Sequence, residues 1–200
     1  AGAIRTGNRL DAVIAESRSG REAFLAKAFV DCTGYGDLAA HAGAQYTVPN
    51  DYAVCNSIGI ANVSLEKLNE FLEAHQAVTQ RAEGVRSGQD GQIVRIQGRT
   101  IDLPSGFREG ASAIGMSLVT TTVHDNYLMF IKINHNMRGV PTNRDDVAKA
   151  ELEIRQRQFQ AIQLFRKYVP GCEKAFIART SPGLNIRRGR CVACDYDITH

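Results

Sequence analysis

The sequence has no run of about 18 apolar residues, the length that a membrane-spanning helix requires. Aromatic residues make up only 7% of its 200 residues, and the excess of basic over acidic residues is small, a net charge of +3. A dedicated nucleic-acid binder usually has a pI above about 9, whereas this chain has a pI near 8.7. A membrane span and a nucleic-acid partner are therefore disfavoured, and the expected partner is a small molecule, more readily an anionic one.

Cysteine is also scarce, and the five thiols are an odd number in a chain of this length, which needs no disulfides to build a core. They are predicted to be reduced and buried, in a reducing compartment such as the cytoplasm: Cys32, Cys55, Cys172, Cys191 and Cys194. With 44% hydrophobic and 22% charged residues, the chain is not disordered, collagen-like or a disulfide scaffold. Because it opens without Met and stops without a tail, we expect an internal piece of a longer protein.

The first 31 residues predict a β-hairpin. Apolar runs at residues 10–15 and 23–30 are joined by the turn cluster at 17–20. The second strand is expected to run into Asp31 and to end at a glycine turn.

That turn, Thr33-Gly34-Tyr35-Gly36-Asp37, leads into a short helical stretch at residues 38–42. Asp37 is predicted as its N-cap and Gly43 as its stop. A glycine turn lets the backbone approach a ligand, and a helix N-terminus favours an anion such as a phosphate. Two glycines in such a turn are also ordinary turn chemistry, and the full G-x-G-x-x-G fingerprint is absent from the chain, so no complete Rossmann dinucleotide site is predicted.

The regular pattern breaks up around residues 49–51, the expected boundary between a first and a second unit. Ser64 is then predicted to cap a helix whose apolar face contains Leu65, Leu68, Phe71 and Leu72. Residues 78–91 are polar, and residues 101–114 are interrupted by proline and glycine. The first segment is therefore predicted to be a helix tail and exposed loop and the second an exposed loop, and both are expected to shape a substrate entrance.

Two β-rich stretches, residues 117–123 and 127–134, flank the polar residues 124–126 and predict a second hairpin. A long helix follows, capped by Thr142 or Asn143 and ended by Pro170, with an apolar face at Val147, Ala150, Ile154, Ala161 and Phe165. The solvent-exposed face of this helix is expected to hold Glu151, Glu153, Arg155 and Arg157. The last stretch, residues 185–199, reads as a strand interrupted by Gly189.

Two polar clusters are candidate substrate contacts. His135 lies in an Asn-rich group that ends a predicted strand, where it either faces a substrate cleft or belongs to a polar loop. Arg187, Arg188 and Arg190 either bind an anion or form a solvated strand edge. On a strand Arg188 and Arg190 share one face and Arg187 takes the other, so all three serve one site only if Gly189 marks a bulge.

Cys191 and Cys194 are separated by two residues, a spacing that also occurs in redox and zinc sites. Residues three apart on a strand point to opposite faces, and the chain has no second pair of this kind. We therefore predict no metal site and two buried thiols, while a helix or turn at this point would restore the redox alternative.

Three blocks of the sequence resemble one family. DCTGYGDLAAHAGA at residues 31–44 is similar to the D-A-T-G-D-G-D-L-A-A-x-A-G-A block of the bacterial FAD-dependent oxidoreductases that are distantly akin to succinate dehydrogenase and fumarate reductase flavoproteins. Residues 134–151 and VPG at 169–171 resemble the entry and the exit of that family's long helix. IRRGRC at 186–191, with Tyr196 and Thr199 beyond it, resembles the V-R-E-S/T-R-R segment. The blocks follow the family's order and agree least between residues 76 and 115.

The resemblance implies FAD as cofactor. It implies that Thr33, Gly34, Gly36 and Asp37 approach the FAD, and that Arg187 and Arg190 lie toward the flavin and the substrate. It also implies that the flavin's pyrophosphate fingerprint lies upstream of residue 1 and that further FAD contacts follow residue 200. The chain departs from the family pattern where Tyr35 replaces Asp, Arg188 replaces Glu, Gly189 replaces a hydroxyl residue and Cys194 replaces Gly.

The combined prediction is an α+β chain with three parts. Residues 1–50 form the end of an FAD/NAD(P)-binding Rossmann-like domain, residues 51–183 a substrate-side domain of mixed β-sheet and helices, and residues 184–200 a return strand. The parent is expected to be an oxidoreductase whose flavin accepts a hydride from a small polar or anionic substrate, with Arg187, Arg190 and His135 as catalytic residues. The 200 residues alone are expected to be inactive. A non-catalytic ligand- or protein-binding module is the alternative.

Overall fold

The computed structural model describes residues 2–48, 53–122 and 129–196. The chain divides into two compact units: unit 1 contains residues 1–52, 139–144 and 186–200, and unit 2 contains residues 53–138 and 145–185. In chain order the elements are β1 (Gly2–Thr6), β2 (Arg9–Ser17), β3 (Gly20–Leu25), α1 (Asp37–His41), β4 (Tyr46–Thr47), β5 (Ala53–Ala61), α2 (Leu65–Ala74), β6 (Val78–Arg86), β7 (Gln89–Arg99), a 3-10 helix (Thr100–Asp102), α3 (Ser105–Ala113), β8 (Leu118–Thr122), β9 (Met129–Asn136), α4 (Arg144–Tyr168), β10 (Phe176–Thr180), β11 (Asn185–Ile186) and β12 (Cys191–Val192). The predicted α+β class is confirmed.

Unit 1 contains a three-stranded antiparallel sheet in the order β1-β2-β3, a two-stranded ladder of β4 with β12, and α1. The predicted hairpin is confirmed as β2 and β3, but its second strand is shorter than expected. The ladder ends at the pair Ala12 and Leu25, residues 26–36 form no strand, and Val30 is 82% exposed. An apolar run alone does not make a strand, because the backbone also needs a paired neighbour.

Unit 2 is built around β5, which pairs antiparallel with β9 on one side and with β10 on the other. A second sheet has the order β6-β7-β8. The helices α2, α3 and α4 bury their apolar side chains in one core, in which Phe107 of α3 lies edge-on against Phe165 of α4 at 5.6 Å between ring centres. Burying a side chain of this size stabilises the fold by about 2–3 kcal/mol.

Two predicted helices are confirmed. Ser64 caps α2 by accepting a hydrogen bond from the Lys67 amide, and Leu65, Leu68 and Leu72 are buried. In α4 the acidic pair Asp145 and Asp146 lies in the first turn, where the helix dipole favours negative charge.

Two predicted loops are wrong. Residues 78–91 belong to a hairpin of β6 and β7, whose turn contains Ser87 at φ 52° and Gly88 at φ 76°. One face of β6 is exposed, and the other is mostly half-buried or buried, but apart from Val78 the side chains of that second face are small or polar, so the strand carries no apolar alternation that would have identified it. The Ser-Gly turn pair was the available signal.

Residues 105–113, also predicted as loop, form α3, and the two glycines that suggested an interruption lie where α4 packs against it. A Cβ at Gly106 would overlap the Tyr168 hydroxyl, and one at Gly110 would lie 2.5 Å from Leu164 Cδ2. These glycines therefore allow close helix packing at a cost of about 1 kcal/mol each in helix propensity.

Three further expectations concern segments that lie beside, or within, residues that the structure does not describe. The second hairpin was expected to join residues 117–123 to 127–134, and the ladders described for its two strands, β8 and β9, run to β7 and β5. Its turn and the boundary at residues 49–51 lie outside the described residues. The final stretch is not one strand, because β11 and β12 are two residues each and residues 187–190 between them are irregular. No helix in the described part of the chain is long and apolar enough to cross a membrane.

Candidate functional site

The glycine turn of unit 1 is organised by the carboxylate of Asp31. It accepts hydrogen bonds from the Thr33 amide at 3.0 Å, the Thr33 hydroxyl at 2.7 Å and the Ala39 amide at 2.9 Å. The Thr33 hydroxyl oxygen in turn accepts a bond from the Asp37 amide at 2.8 Å. These bonds, above all the one from the Ala39 amide, hold the pKa of Asp31 below its ordinary value of 3.8.

This arrangement corrects two expectations. Gly36 at φ 64° is the N-cap of α1, and Asp37 is the first helical residue rather than the cap. The anion at the start of this five-residue helix is the chain's own Asp31, so the helix terminus is not left for a phosphate. The Asp37 amide at the start of the helix is capped by the hydroxyl of Thr33, four residues upstream.

The two glycines of the turn do different work. Gly34 has φ 81°, and a Cβ built on it would have no atom within 4 Å, so this edge of the backbone faces open space. Gly36 also has a positive φ, but its Cβ would lie 3.0 Å from Val192 Cγ2. Gly34 therefore permits the approach of a ligand, whereas Gly36 permits the approach of the chain's own residue 192.

Arg190 binds this turn. Its Nη1 lies 2.5 Å from Asp37 Oδ1 and donates to the Tyr35 carbonyl at 3.1 Å, and its guanidinium carbon lies 5.2 Å from the Tyr46 ring centre. The hydrogen bond to Asp37 raises the pKa of Arg190 above its ordinary value, so the guanidinium stays protonated. Because this charge is already compensated by Asp37, Arg190 fixes the orientation of that carboxylate.

Arg187 and Arg188 are exposed, and Gly189 between them and Arg190 is buried against Tyr35, whose Cα would lie 2.5 Å from a Cβ at this position. Since residues 187–190 are irregular, the expected alternation of strand faces does not apply to them. Thr33, Gly34, Gly36, Asp37 and Arg190 thus lie together, and Arg187 lies on the surface of the same unit.

The cysteines are all free thiols, but the prediction that they are buried is correct only for Cys55 and Cys172. Cys32, Cys191 and Cys194 are exposed. Burial raises the pKa of Cys172 to about 12, which makes that thiol inert at neutral pH. Across the ranges that the structure describes, no three His, Cys, Asp or Glu side chains are grouped as a metal site.

His135 lies in unit 2, in a polar cleft of about 680 Å³ between β9, α3 and α4. Its Nε2 is 3.2 Å from Glu153 Oε2, and the other oxygen of Glu153 accepts a bond from Arg157 Nη2 at 2.5 Å. Arg157 also donates from Nη1 to the Asn134 carbonyl at 3.4 Å. These contacts link β9 to one face of α4.

Burial lowers the pKa of His135 below its ordinary value of 6.5. Glu153 opposes this shift, and the positive charges of Arg157 and Arg138 add to it. The imidazole is therefore neutral at pH 7, and the tautomer that donates from Nε2 to Glu153 leaves Nδ1 as a proton acceptor.

The sequence did not identify Glu153 and Arg157 as site residues. They were placed, with Glu151 and Arg155, on one solvent-exposed face of the long helix. The structure separates them into two pairs. Glu153 and Arg157 line the cleft, whereas Arg155 bonds Glu151 at 2.8 Å and the Ser181 carbonyl at 2.9 Å. Spacing of four residues within each pair was the signal that distinguished them.

A second cleft of about 590 Å³ lies beside the first and shares Ser112, Gly115 and Asn134 with it. Its remaining walls include Arg99, Arg108, Ile101, Met116 and Leu118. The expectations from the sequence for this region were the incorrect loop at residues 101–114 and the strands at residues 117–123 and 127–134.

The family model described as FAD dependent oxidoreductase matches residues 1–200. No curated protein and no solved structure matches the chain. The chain belongs to the FAD dependent oxidoreductase family, its cofactor is FAD, and its function is flavin redox chemistry.

The glycine turn fits this cofactor. Gly34 offers a backbone edge with free space in front of it, as close approach by a large ligand requires. Asp37 is held by Arg190, yet its side chain keeps 43% of its exposure, so it retains an oxygen for a hydrogen bond to a ligand. The helix terminus does not fit a phosphate, because Asp31 and Thr33 already satisfy its amides.

Proposed function

We propose that unit 1 holds part of the FAD of a flavoenzyme and that unit 2 holds a small polar or anionic substrate. When bound, FAD supplies the acceptor for a hydride. The observation that carries the proposal is the open, positive-φ backbone of Gly34 beside a carboxylate that is fixed in place. We assign residues 1–50 to the end of a Rossmann-like domain, as the sequence predicts.

The residue roles follow from the contacts. Gly34 admits the cofactor, Asp37 accepts a hydrogen bond from it, and Thr33 and Gly36 hold the turn in shape. Arg190 positions Asp37 rather than binding the substrate itself. Arg187 is exposed and is the guanidinium of this segment that we assign to the anionic group of a substrate or of the reduced cofactor.

His135 is the proposed proton acceptor of the substrate cleft. It is neutral at pH 7, and Glu153 orients its ring through Nε2, so that a proton is taken up at Nδ1. Glu153 then stabilises the imidazolium that forms, and Arg157 keeps the Glu153 carboxylate in place.

The proposal that the protein is a flavoenzyme is tested by the visible absorption spectrum of the complete gene product, purified without added cofactor. Flavin bands at near-equimolar occupancy are expected. A colourless protein that also fails to take up added FAD would refute the proposal.

The role of Gly34 is tested by Gly34→Val, with Gly7→Val as the matched control. Both glycines lie in unit 1, have a positive φ and have no atom within 4 Å of a Cβ, so the two changes carry similar backbone strain. Flavin content is expected to fall severely in the first variant and to stay near the wild-type level in the second. Equal flavin content in both variants would remove Gly34 from the site.

We also propose that the 200 residues alone are inactive and bind FAD weakly, because they lack the G-x-G-x-x-G phosphate fingerprint. A titration of the isolated chain with FAD, followed by flavin fluorescence, is expected to show no tight stoichiometric binding. The free thiols agree with the cytoplasmic location that we propose for the parent protein.

A further inference from the structure

The two clefts of unit 2 adjoin at a waist of three residues that line both of them. These are Ser112, Gly115 and Asn134, and the Asn134 amide donates to the Gly115 carbonyl at 3.2 Å. Gly115 has φ 74°, and a Cβ there would overlap the Asn134 carbonyl oxygen. The close approach of α3's end to β9 thus places the two spaces next to each other.

The walls of the second cleft are of two kinds. Ile101 is 62% exposed although it is large and apolar, and it lies there with Met116 and Leu118. Arg99 and Arg108 supply positive charge beside this apolar surface. A wall of this composition suits a short apolar chain that ends in an oxyanion.

Arg108 is the cation available to such a ligand. Within residues 2–48, 53–122 and 129–196 its side chain has no ion-pair or hydrogen-bond partner, whereas Arg99 is bound to Asp102 at 2.7 Å. Arg108 and Ser112 are one turn apart on α3, so the same helix face carries the free cation and one wall of the waist.

The residues that line the two clefts carry an excess of positive charge. Their basic lining residues are Arg99, Arg108, Arg138, Lys149 and Arg157. Their acidic ones are Asp146 and Glu153. An anionic ligand is therefore attracted to the groove over its whole length.

We propose that the two clefts form one groove for an elongated ligand, with an apolar segment and an oxyanion, a carboxylate or a phosphate, held by Arg108, and its other end beside His135. This inference rests on the proposed function, since it names the class of substrate that the cleft of His135 accepts. It also makes Arg108 a specificity-determining residue.

The test uses calorimetric titration of the complete gene product with hexanoate, hexyl phosphate and hexan-1-ol. The two anions are expected to bind more tightly than the alcohol, and the tighter of them identifies the oxyanion. Arg108→Ala should weaken anion binding by about tenfold, the value of one charge-assisted hydrogen bond, and leave the alcohol unchanged. Arg95→Ala is the matched control, because Arg95 is exposed on β7 and lines neither cleft.

A second readout tests whether the clefts are continuous. Hexanoate is expected to shift the ring resonances of His135 in the NMR spectrum, whereas acetate, which has no apolar chain to extend from Arg108 along the second cleft, is not. If Arg108→Ala does not weaken anion binding, or if hexanoate does not shift the His135 ring resonances, the proposed groove is wrong.

Flavin content, measured in the same samples, separates this inference from the proposed function. A colourless protein with Arg108-dependent hexanoate binding refutes the flavin role and keeps the groove. A flavin-loaded protein without such binding refutes the groove alone.

Discussion

The two units bury very different amounts of apolar surface. In unit 2 the side chains of Phe107, Phe165 and Ile58 are completely buried, together with many others of one core. In the described part of unit 1 the buried apolar side chains are those of Ala12 and Pro141, while Phe24 and Leu25 are 55% and 80% exposed. Packing therefore determines the geometry of unit 2, whereas hydrogen bonds and ion pairs determine that of the glycine turn.

This difference has a consequence for how each site responds to change. The His135 cleft is built on a strand and two helices whose positions the core fixes. The Gly34 turn depends on Asp31, Thr33, Asp37 and Arg190, each of which acts through one or a few polar contacts. Substitutions should thus be most costly in the core of unit 2 and individually mild in the turn of unit 1.

The largest effect is expected for Phe107→Ala. Phe107 is fully buried against Phe165 and Tyr168, so its truncation should reduce the free energy of unfolding by about 3–5 kcal/mol. Phe24→Ala in unit 1 is the control, because this half-exposed ring should cost about 1 kcal/mol or less. Urea unfolding followed by circular dichroism measures both, and similar losses would contradict the contrast between the units.

The second prediction compares one positive-φ glycine from each unit. Gly115→Ala should cost about 3 kcal/mol, because it adds a clash with the Asn134 carbonyl to the strain of a left-handed backbone. Gly34→Ala should cost only about 1–2 kcal/mol, since its Cβ enters free space. The same unfolding measurement decides, and a larger loss at residue 34 would mean that the turn is more tightly packed than its contacts indicate.

The elements that the sequence predicts well are those with a strong apolar period. In α2 and α4 the apolar residues recur at helical spacing and are the ones that the core buries. In β6 that signal is missing because, apart from Val78, the side chains of its less exposed face are small or polar. The helix α3 is obscured because Gly106 and Gly110 serve packing against α4. Periodicity detects large apolar side chains on one buried face, so elements whose buried face is polar or small, or that pack through glycine, escape it.

The candidate sites divide in the same way. Gly34 and Asp37 are identified from neighbouring residues, because a glycine turn before a helix is a local feature. The pairing of Arg190 with Asp37, 153 residues apart, and that of His135 with Glu153 depend on the fold, and no local pattern specifies them. The occupation of the helix terminus by Asp31 was equally invisible, since an aspartate six residues before a helix has no fixed role.

The third prediction concerns the internal anion of unit 1. Asp31→Asn should reduce stability by about 1 kcal/mol at neutral pH, as expected when a carboxylate that caps a helix loses its charge. Because the pKa of Asp31 is lowered in the folded state, its contribution is present above the ordinary value of 3.8 and is lost as pH falls through the lowered pKa. Unfolding curves of both proteins should therefore converge in acid. Asp90→Asn is the matched control, because the Asp90 carboxylate accepts a hydrogen bond from the Gly91 amide in the β6–β7 hairpin and caps no helix.

The smallest effect is expected in the titration of His135, which tests whether the cleft of unit 2 also depends on a polar contact. The pKa of His135 lies below 6.5 because the ring is buried, and Glu153 limits the shift. Glu153→Gln should lower the pKa of His135 further, while Glu151→Gln, whose carboxylate bonds Arg155 instead, should leave it unchanged. NMR titration of the ring protons measures both variants.

The sign of this shift also sets how the stability of unit 2 depends on pH. The unfolded chain binds a proton at a histidine near pH 6.5, more readily than the folded protein does, so protonation favours unfolding. Stability is therefore expected to decline as pH falls from 6.5 through the lowered pKa, and to decline over a wider interval in Glu153→Gln. If that variant raised the pKa of His135 instead, Glu153 would not be the group that holds the ring, and the geometry of the proposed proton acceptor would be wrong.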